Sequence, residues 1–152
     1  RCAMKDDLTD VLEKIAHCDV LLLGTPIYYA NITGEMLSFL ERLLFSSMTY
    51  NIGHRSTFCG KFSSGFIYTM NVPSDAMEKL GYGALFDRYK ALLERFGGPS
   101  KILVSNDTYQ FDDYSKYEAS MFDEEHKAKV RAEQFPVDCR KAFEMGARLT
   151  GR

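Results

Sequence analysis

One unbroken stretch of this 152-residue chain gathers the side chains best suited to chemistry: Gly24-Thr25-Pro26-Ile27-Tyr28-Tyr29-Ala30-Asn31-Ile32-Thr33-Gly34. Thr25 brings a hydroxyl, Tyr28 and Tyr29 bring aromatic faces, and Asn31 brings an amide that both donates and accepts. A flat, mostly apolar ring with a polar edge needs that mixture. Aromatic or apolar faces stack on the ring, while backbone and amide groups pair with its N–H and C=O positions. Pro26 restricts the backbone and lowers the ordering cost of binding. The same residues also suit an ordinary strand-to-helix loop whose tyrosines only pack, and their types alone leave both readings open.

Elsewhere the reactive residue types are scattered. His17 and Cys18 are adjacent at a helix end, and His54 and Cys59 share a loop, but neither spacing is a zinc pattern. His126 lies among Glu and Lys and reads as a solvated position on a helix face. Tyr109, Phe111, Tyr114 and Tyr117 form an aromatic patch suited to a crevice wall, a dimer contact, or core or lid packing. The four cysteines (Cys2, Cys18, Cys59, Cys139) include no Cys-x-x-Cys pair, and scattered free thiols fit a reducing cytoplasm.

The elements that must position the 24–34 stretch follow from periodicity. Leu8, Val11, Leu12 and Ile15 recur at helical spacing behind Asp7, a candidate cap for the first turn. Residues 20–24 are a continuous apolar run, which predicts a strand buried on both faces as in parallel sheets. After Thr33, Met36, Leu37, Phe39, Leu40, Leu43 and Leu44 mark one face of a helix. Residues 46–60 read as a loop and 62–70 as a strand rich in Phe, Ile, Tyr and Thr. A short helix is expected around 76–80. Leu85, Tyr89, Leu92, Leu93 and Phe96 mark a longer one, stopped by Gly97-Gly98-Pro99. Residues 101–105 form a third strand, 106–122 a polar and aromatic excursion, and 124–149 a long final helix bent at Pro136. The alternation predicts one α/β domain over residues 1–152: three parallel strands, adjacent in chain order, with helices on both faces. The 24–34 stretch then lies at the carboxyl end of the first visible strand, where open α/β sheets bind ligands. Three strands make a thin sheet, and a chain that enters a helix within a few residues of Arg1, with no strand before it, reads as incomplete on its N-terminal side.

The stretch, continued through Phe39-Leu40-Glu41-Arg42-Leu43, resembles the NADPH-dependent FMN reductase and iron–sulfur flavoprotein branch of the flavodoxin-like superfamily. There a buried strand ends in Gly-Ser/Thr-Pro-x-Tyr, and an Asn-containing turn opens a helix carrying Phe-x-x-Arg. Cys2-Ala3-Met4-Lys5-Asp6-Asp7-Leu8 is similar to that family's Cys-x-x-x-Asp-Asp-hydrophobic junction. Residues 125–131, with Glu133-Gln134-Phe135-Pro136, are similar to its C-terminal helix. The resemblance implies a flavodoxin-like α/β/α sandwich with a parallel sheet. It also implies FMN held by Thr25, Pro26, Ile27, Tyr28, Tyr29, Ala30, Asn31 and Ile32, with Pro26, Tyr28 and Asn31 foremost; topology alone, with Met70 and Asn71 at the end of the second strand, adds these two as a border of the same crevice. The implied reaction is hydride transfer from NAD(P)H to the flavin and electron delivery to a small-molecule acceptor such as a quinone, free flavin or metal, with no protein catalytic residue required.

The family's phosphate-binding loop, a Ser-Pro-Arg-type segment ending Asn-Thr, has no counterpart in this chain, so FMN is expected to bind weakly or not at all to it alone. Cys2 stands where the last ligand of the iron–sulfur motif falls, and a cluster would require upstream cysteines. The missing first strand is expected beside residues 20–23, leaving an exposed apolar edge and favouring a homo-oligomer.

Composition trims the alternatives. A net charge of −2 offers no basic excess to a phosphate backbone, so nucleic acid is not an expected partner. No apolar run approaches the roughly 20 residues of a membrane span, and no charged-then-apolar leader precedes the first helix. With 45% hydrophobic residues there is ample material for a core. A flavodoxin-like electron carrier working between proteins is the second reading, although such carriers tend to be strongly acidic. A truncated paralogue without its own flavin is the third.

Overall fold

The computed structural model describes residues 4–53, 56–58 and 60–151. Cys2, His54 and Cys59, and what was expected of them, lie outside the described residues. The sheet has the order β2-β1-β3-β4, with β1 at Val20–Tyr28, β2 at Asn31–Ile32, β3 at Ser63–Thr69 and β4 at Ser100–Ser105. β1, β3 and β4 are parallel neighbours in chain order, as the α/β alternation predicts, and Pro26, Thr69 and Ser105 stand side by side in register. β2 is a two-residue antiparallel partner of β1, pairing Ile27 with Ile32 and Tyr28 with Asn31.

β1 differs from expectation in two ways. It runs on past Gly24 to Tyr28, so with β2 six of the eight residues of the expected binding loop are strand. Its faces also alternate: Leu21, Leu23 and Thr25 are buried, while Leu22 and Gly24 are exposed. The apolar run is therefore not buried on both sides, and the helices explain why. α1 (Leu8–Ile15), α2 (Gly34–Phe45) and α4 (Tyr82–Phe96) cover one face. Ile15, Leu40, Leu43, Leu85, Phe86, Tyr89 and Leu93 join Leu21, Leu23, Phe66 and Tyr68 in one core. The opposite face is covered by α6 (Phe135–Leu149), which packs on β3 and β4. Its Leu149 and Met145 close over Gly65, where an added Cβ would stand 2.7 Å from Leu22 Cδ2, so Leu22 touches this packing only at its edge and is 52% exposed. Among the described residues, β1 has no strand partner over residues 20–26 on the side away from β3, as the topology predicts.

The helix signals hold with adjusted ends. Thr33 caps α2, its Oγ1 accepting from Met36 N–H. Asp7 does not cap α1 with its side chain; instead Asp6 N–H donates to Thr9 Oγ1 and Thr9 N–H to Asp6 C=O. A short α3 spans Ser74–Lys79. The long C-terminal helix is two: α5 (Glu124–Glu133) and α6, separated at Gln134. Pro136 sits in the first turn of α6, where a residue without N–H is tolerated, and it ends the preceding ladder.

Candidate functional site

The expected binding segment is a β-hairpin. β1 carries Thr25, Pro26, Ile27 and Tyr28 to the turn, Tyr29 and Ala30 form it, and Asn31 and Ile32 return. Tyr29 has φ 48° and Ala30 φ 59°, so both central residues are left-handed, as a tight turn matched to strand twist requires. Asn-Gly is the usual choice there. A side chain in that region costs about 1–2 kcal/mol per residue, and strain of this kind persists only where its surroundings enforce it.

Buried contacts at the hairpin base do the enforcing. Thr25 Oγ1 donates to Pro26 C=O at 2.9 Å and accepts from Thr33 N–H at 3.3 Å. Asn31 Oδ1 accepts from Ile32 N–H at 2.9 Å and from the Tyr89 hydroxyl of α4 at 3.1 Å. Burial raises the Tyr89 phenol above its ordinary range, so it remains a donor to Asn31.

The eight residues thus divide. Thr25 and Ile32 are buried, and the Thr25 hydroxyl is spent inside the hairpin instead of being offered to a ligand. Pro26, Ile27 and Asn31 are half-buried. Tyr28 is 58% exposed and Tyr29 stands fully in solvent, with Ala30 also exposed. Where a crevice was expected, a projecting ribbon presents two tyrosine rings, because no described element flanks the outer side of β1. The Asn31 carbonyl is used internally, which leaves its NH2 as the outward group.

A second cluster at the same end of the sheet was not legible in the sequence. Lys127 of α5 is buried, and its ammonium binds the Asn71 side-chain oxygen and one Asp107 carboxylate oxygen. It also donates to the main-chain carbonyls of Asn71 and Thr108, each at 3.3 Å. His126 Nε2 lies 2.6 Å from the other Asp107 oxygen, so His126, though half exposed, is a hydrogen-bond partner and not simply solvated as expected. Burial opposes the Asp107 charge, but Lys127 and His126 outweigh it and hold the carboxyl below the ordinary aspartate value. Asp107 has φ 55°, a conformation that Asp tolerates better than most residues. The one sequence hint was Asn106-Asp107 directly after a strand. Next to this cluster, a cleft of about 250 Å³ is walled by Thr69, Ser105, Thr108, Arg131 and Phe135, and none of residues 25–32 lines it. Met70, expected to border the ring crevice, is buried in the core, whereas Asn71 is half-buried.

The aromatic patch packs on itself. Phe111 stacks on Tyr117 with centroids 4.0 Å apart, and Tyr114 is buried, its hydroxyl accepting from Gln110 N–H. Two motif fragments also meet in space: Arg42 donates to Asp6 from both terminal guanidinium nitrogens, at 2.7 and 3.1 Å, tying the Asp-Asp junction to the Phe-x-x-Arg helix.

This donor set fits the ring of a flavin: two accessible aromatic faces, an outward amide NH2 and a rigid turn. The eight residues offer no phosphate cradle of their own, and this sequence holds neither a Ser-Pro-Arg-type segment ending Asn-Thr nor a Gly-x-Gly-x-x-Gly run.

Residues 1–66 match the family model described as NADPH-dependent FMN reductase. An iron–sulfur flavoprotein of Archaeoglobus fulgidus is 30% identical over 66 residues, which are 43% of this chain and 27% of that protein. The chain thus aligns with under a third of that curated relative's length. Among solved structures, an NAD(P)H:quinone oxidoreductase from Methanothermobacter marburgensis superposes with a TM-score of 0.59 at 13% identity, covering 74% of this chain and 59% of that one. An FMN-dependent NADH-azoreductase from Bacillus anthracis, solved with FMN, gives 0.52 at 12% identity, covering 89% and 61%. The fold is flavodoxin-like, and over residues 1–66 the sequence is similar to NADPH-dependent FMN reductases.

Proposed function

We propose that the chain is the FMN-binding part of an NAD(P)H-dependent oxidoreductase, with residues 1–152 acting as one domain. The observation that carries this reading is the strained, buried-based hairpin that offers Tyr28, Tyr29 and the Asn31 amide at the carboxyl end of β1. FMN, when bound, accepts a hydride from NAD(P)H and passes electrons to a small-molecule acceptor such as a quinone, free flavin or metal. The chain binds and orients. Tyr28 and Tyr29 supply stacking surface, Asn31 NH2 pairs with an acceptor oxygen at the ring edge, and Thr25 and Tyr89 keep the turn in place. No side chain is assigned as acid or base.

The exposed rings and the unpaired edge of β1 favour a homo-oligomer in which a second copy covers them. Free Cys18 and Cys139 favour a reducing compartment such as the cytoplasm. No helix among the described residues is long and apolar enough to cross a membrane. An iron–sulfur cluster would need thiolates beyond Cys18 and Cys139.

The test is FMN titration of the chain, read by quenching of flavin fluorescence, with NAD(P)H oxidation followed when a quinone is added. Tyr28→Ala and Asn31→Ala are expected to weaken FMN binding about tenfold, the equivalent of about 1.4 kcal/mol. Unchanged affinity and flavin absorption in both variants would place the ring elsewhere.

A further inference from the structure

Lys127 is a buried ammonium far along the sequence from the hairpin, and the ring site as described does not use it. Its partners lie on the two segments that leave β3 and β4 at their carboxyl ends: Asn71 on one, Asp107 and Thr108 on the other. Ammonium donates and never accepts. Asn71 must therefore turn its Oδ1 toward Lys127, and its NH2 faces the other way. That NH2 has no hydrogen-bond partner among the described residues, whereas Lys127 donates to the side-chain Oδ1 and also to the main-chain carbonyl of the same residue. Lys127 is itself fixed, because Asp107 neutralises it and His126 holds the remaining Asp107 oxygen at 2.6 Å.

Register places this amide beside the hairpin. Pro26 of β1 pairs with Thr69 of β3, and two residues beyond each lie Tyr28 and Asn71. Parallel neighbours are about 5 Å apart, so a ring resting on Tyr28 lies within reach of the segment that leaves β3 (Ser63–Thr69) and carries Asn71.

We propose that Lys127 is a positioning residue for the ring site: it orients the Asn71 amide so that the NH2 donates to an acceptor oxygen of the flavin held at the hairpin. This rests on the flavin reading above and adds a donor, and the device that aims it, to the hairpin. An unfixed amide would present oxygen or nitrogen with similar ease, and an oxygen facing a ring carbonyl is repulsive.

The experiment is FMN titration, by fluorescence quenching and visible absorption, of the wild-type chain and of Asn71→Asp, Lys127→Gln and Lys129→Gln. Asn71→Asp keeps an oxygen for Lys127 and replaces the NH2 donor with a second carboxylate oxygen, which can only accept and carries charge. Lys127→Gln removes the fixed orientation, because an amide can either donate or accept. Lys129→Gln deletes the same charge from an exposed position on the same helix. Asn71→Asp and Lys127→Gln are expected to bind FMN at least tenfold more weakly, with a shifted flavin absorption band, while Lys129→Gln behaves as wild type. Circular dichroism shows whether Lys127→Gln is folded; if it is not, Asn71→Asp alone decides. Wild-type binding with equal affinity and spectrum in Asn71→Asp overturns this inference and leaves the hairpin reading standing. A wild-type chain that binds no FMN removes both.

Discussion

Asp107 takes one carboxylate oxygen to the Lys127 ammonium and the other to the His126 ring. Lys127 is buried beside it, and His126 is about half exposed. Because the folded carboxyl titrates below its unfolded value, it binds fewer protons folded than unfolded near the ordinary aspartate range. Its stabilisation is therefore complete above the unfolded aspartate pKa of about 3.9 and is lost as pH falls through the depressed folded value. Asp107→Asn leaves the Lys127 ammonium buried without its counter-charge, a change that costs about 3–5 kcal/mol in other buried pairs. Urea unfolding of wild type and Asp107→Asn across pH 2–7 is expected to show a constant gap near neutrality that closes as the medium is acidified below pH 4. A gap independent of pH would mean that Asp107 acts through packing and not through its charge.

At the scale of the element, the hairpin is the feature whose shape and local sequence disagree. Tyr29-Ala30 occupies positions that glycine or asparagine fill more easily. Ala30→Gly removes one Cβ from a left-handed residue and is expected to stabilise the fold by about 1 kcal/mol, part of the roughly 1–2 kcal/mol strain being offset by glycine's greater unfolded freedom. A chemical denaturation midpoint that falls in this variant would show that the turn is not left-handed at Ala30. The base of the hairpin and the start of α2 share one cap system: Thr33 Oγ1 accepts from Met36 N–H, while Thr33 N–H donates to Thr25. The binding segment is thereby joined rigidly to the helix that follows it. Asp6 and Arg42 link that helix to the chain before α1, so motif fragments distant in sequence act on one unit.

For the whole molecule the governing fact is asymmetry. One face of the sheet is closed by three helices, the other by α6 over β3 and β4, and among the described residues β1 has no strand partner along residues 20–26 on its outer side. An open edge with Leu22 beside it invites pairing with another chain. The protein is expected to self-associate with rising concentration, and Leu22→Lys to shift it toward monomer without unfolding it, since position 22 is already half in solvent. Sedimentation velocity over a concentration series measures this. A wild-type chain that is monomeric throughout, or association unaffected by the lysine, would separate the edge from any role in assembly.

The sequence by itself determined the element types and their order, because these rest on local periodicity. The 3.6-residue spacing of Met36, Leu40 and Leu43 produced α2 behind Thr33, and Gly97-Gly98-Pro99 closed α4, with no knowledge of neighbours. It also located the residues of the hairpin, through their types. What it could not determine was decided by packing between distant segments. Residues 20–24 read as doubly buried because apolar composition cannot say which helix covers which face; α6 chose β3 and β4 and left Leu22 at the margin. Tyr29 and Ala30 have no local preference for positive φ, so the turn exists because Thr25, Thr33 and Tyr89 hold its base. The Lys127 network needs the carboxyl ends of two parallel strands brought under one helix; a lysine between a histidine and an alanine carries no local sign of burial. Spacing along the chain encodes which elements form. Burial, register and the pairing of charges across the sheet arise only when those elements meet.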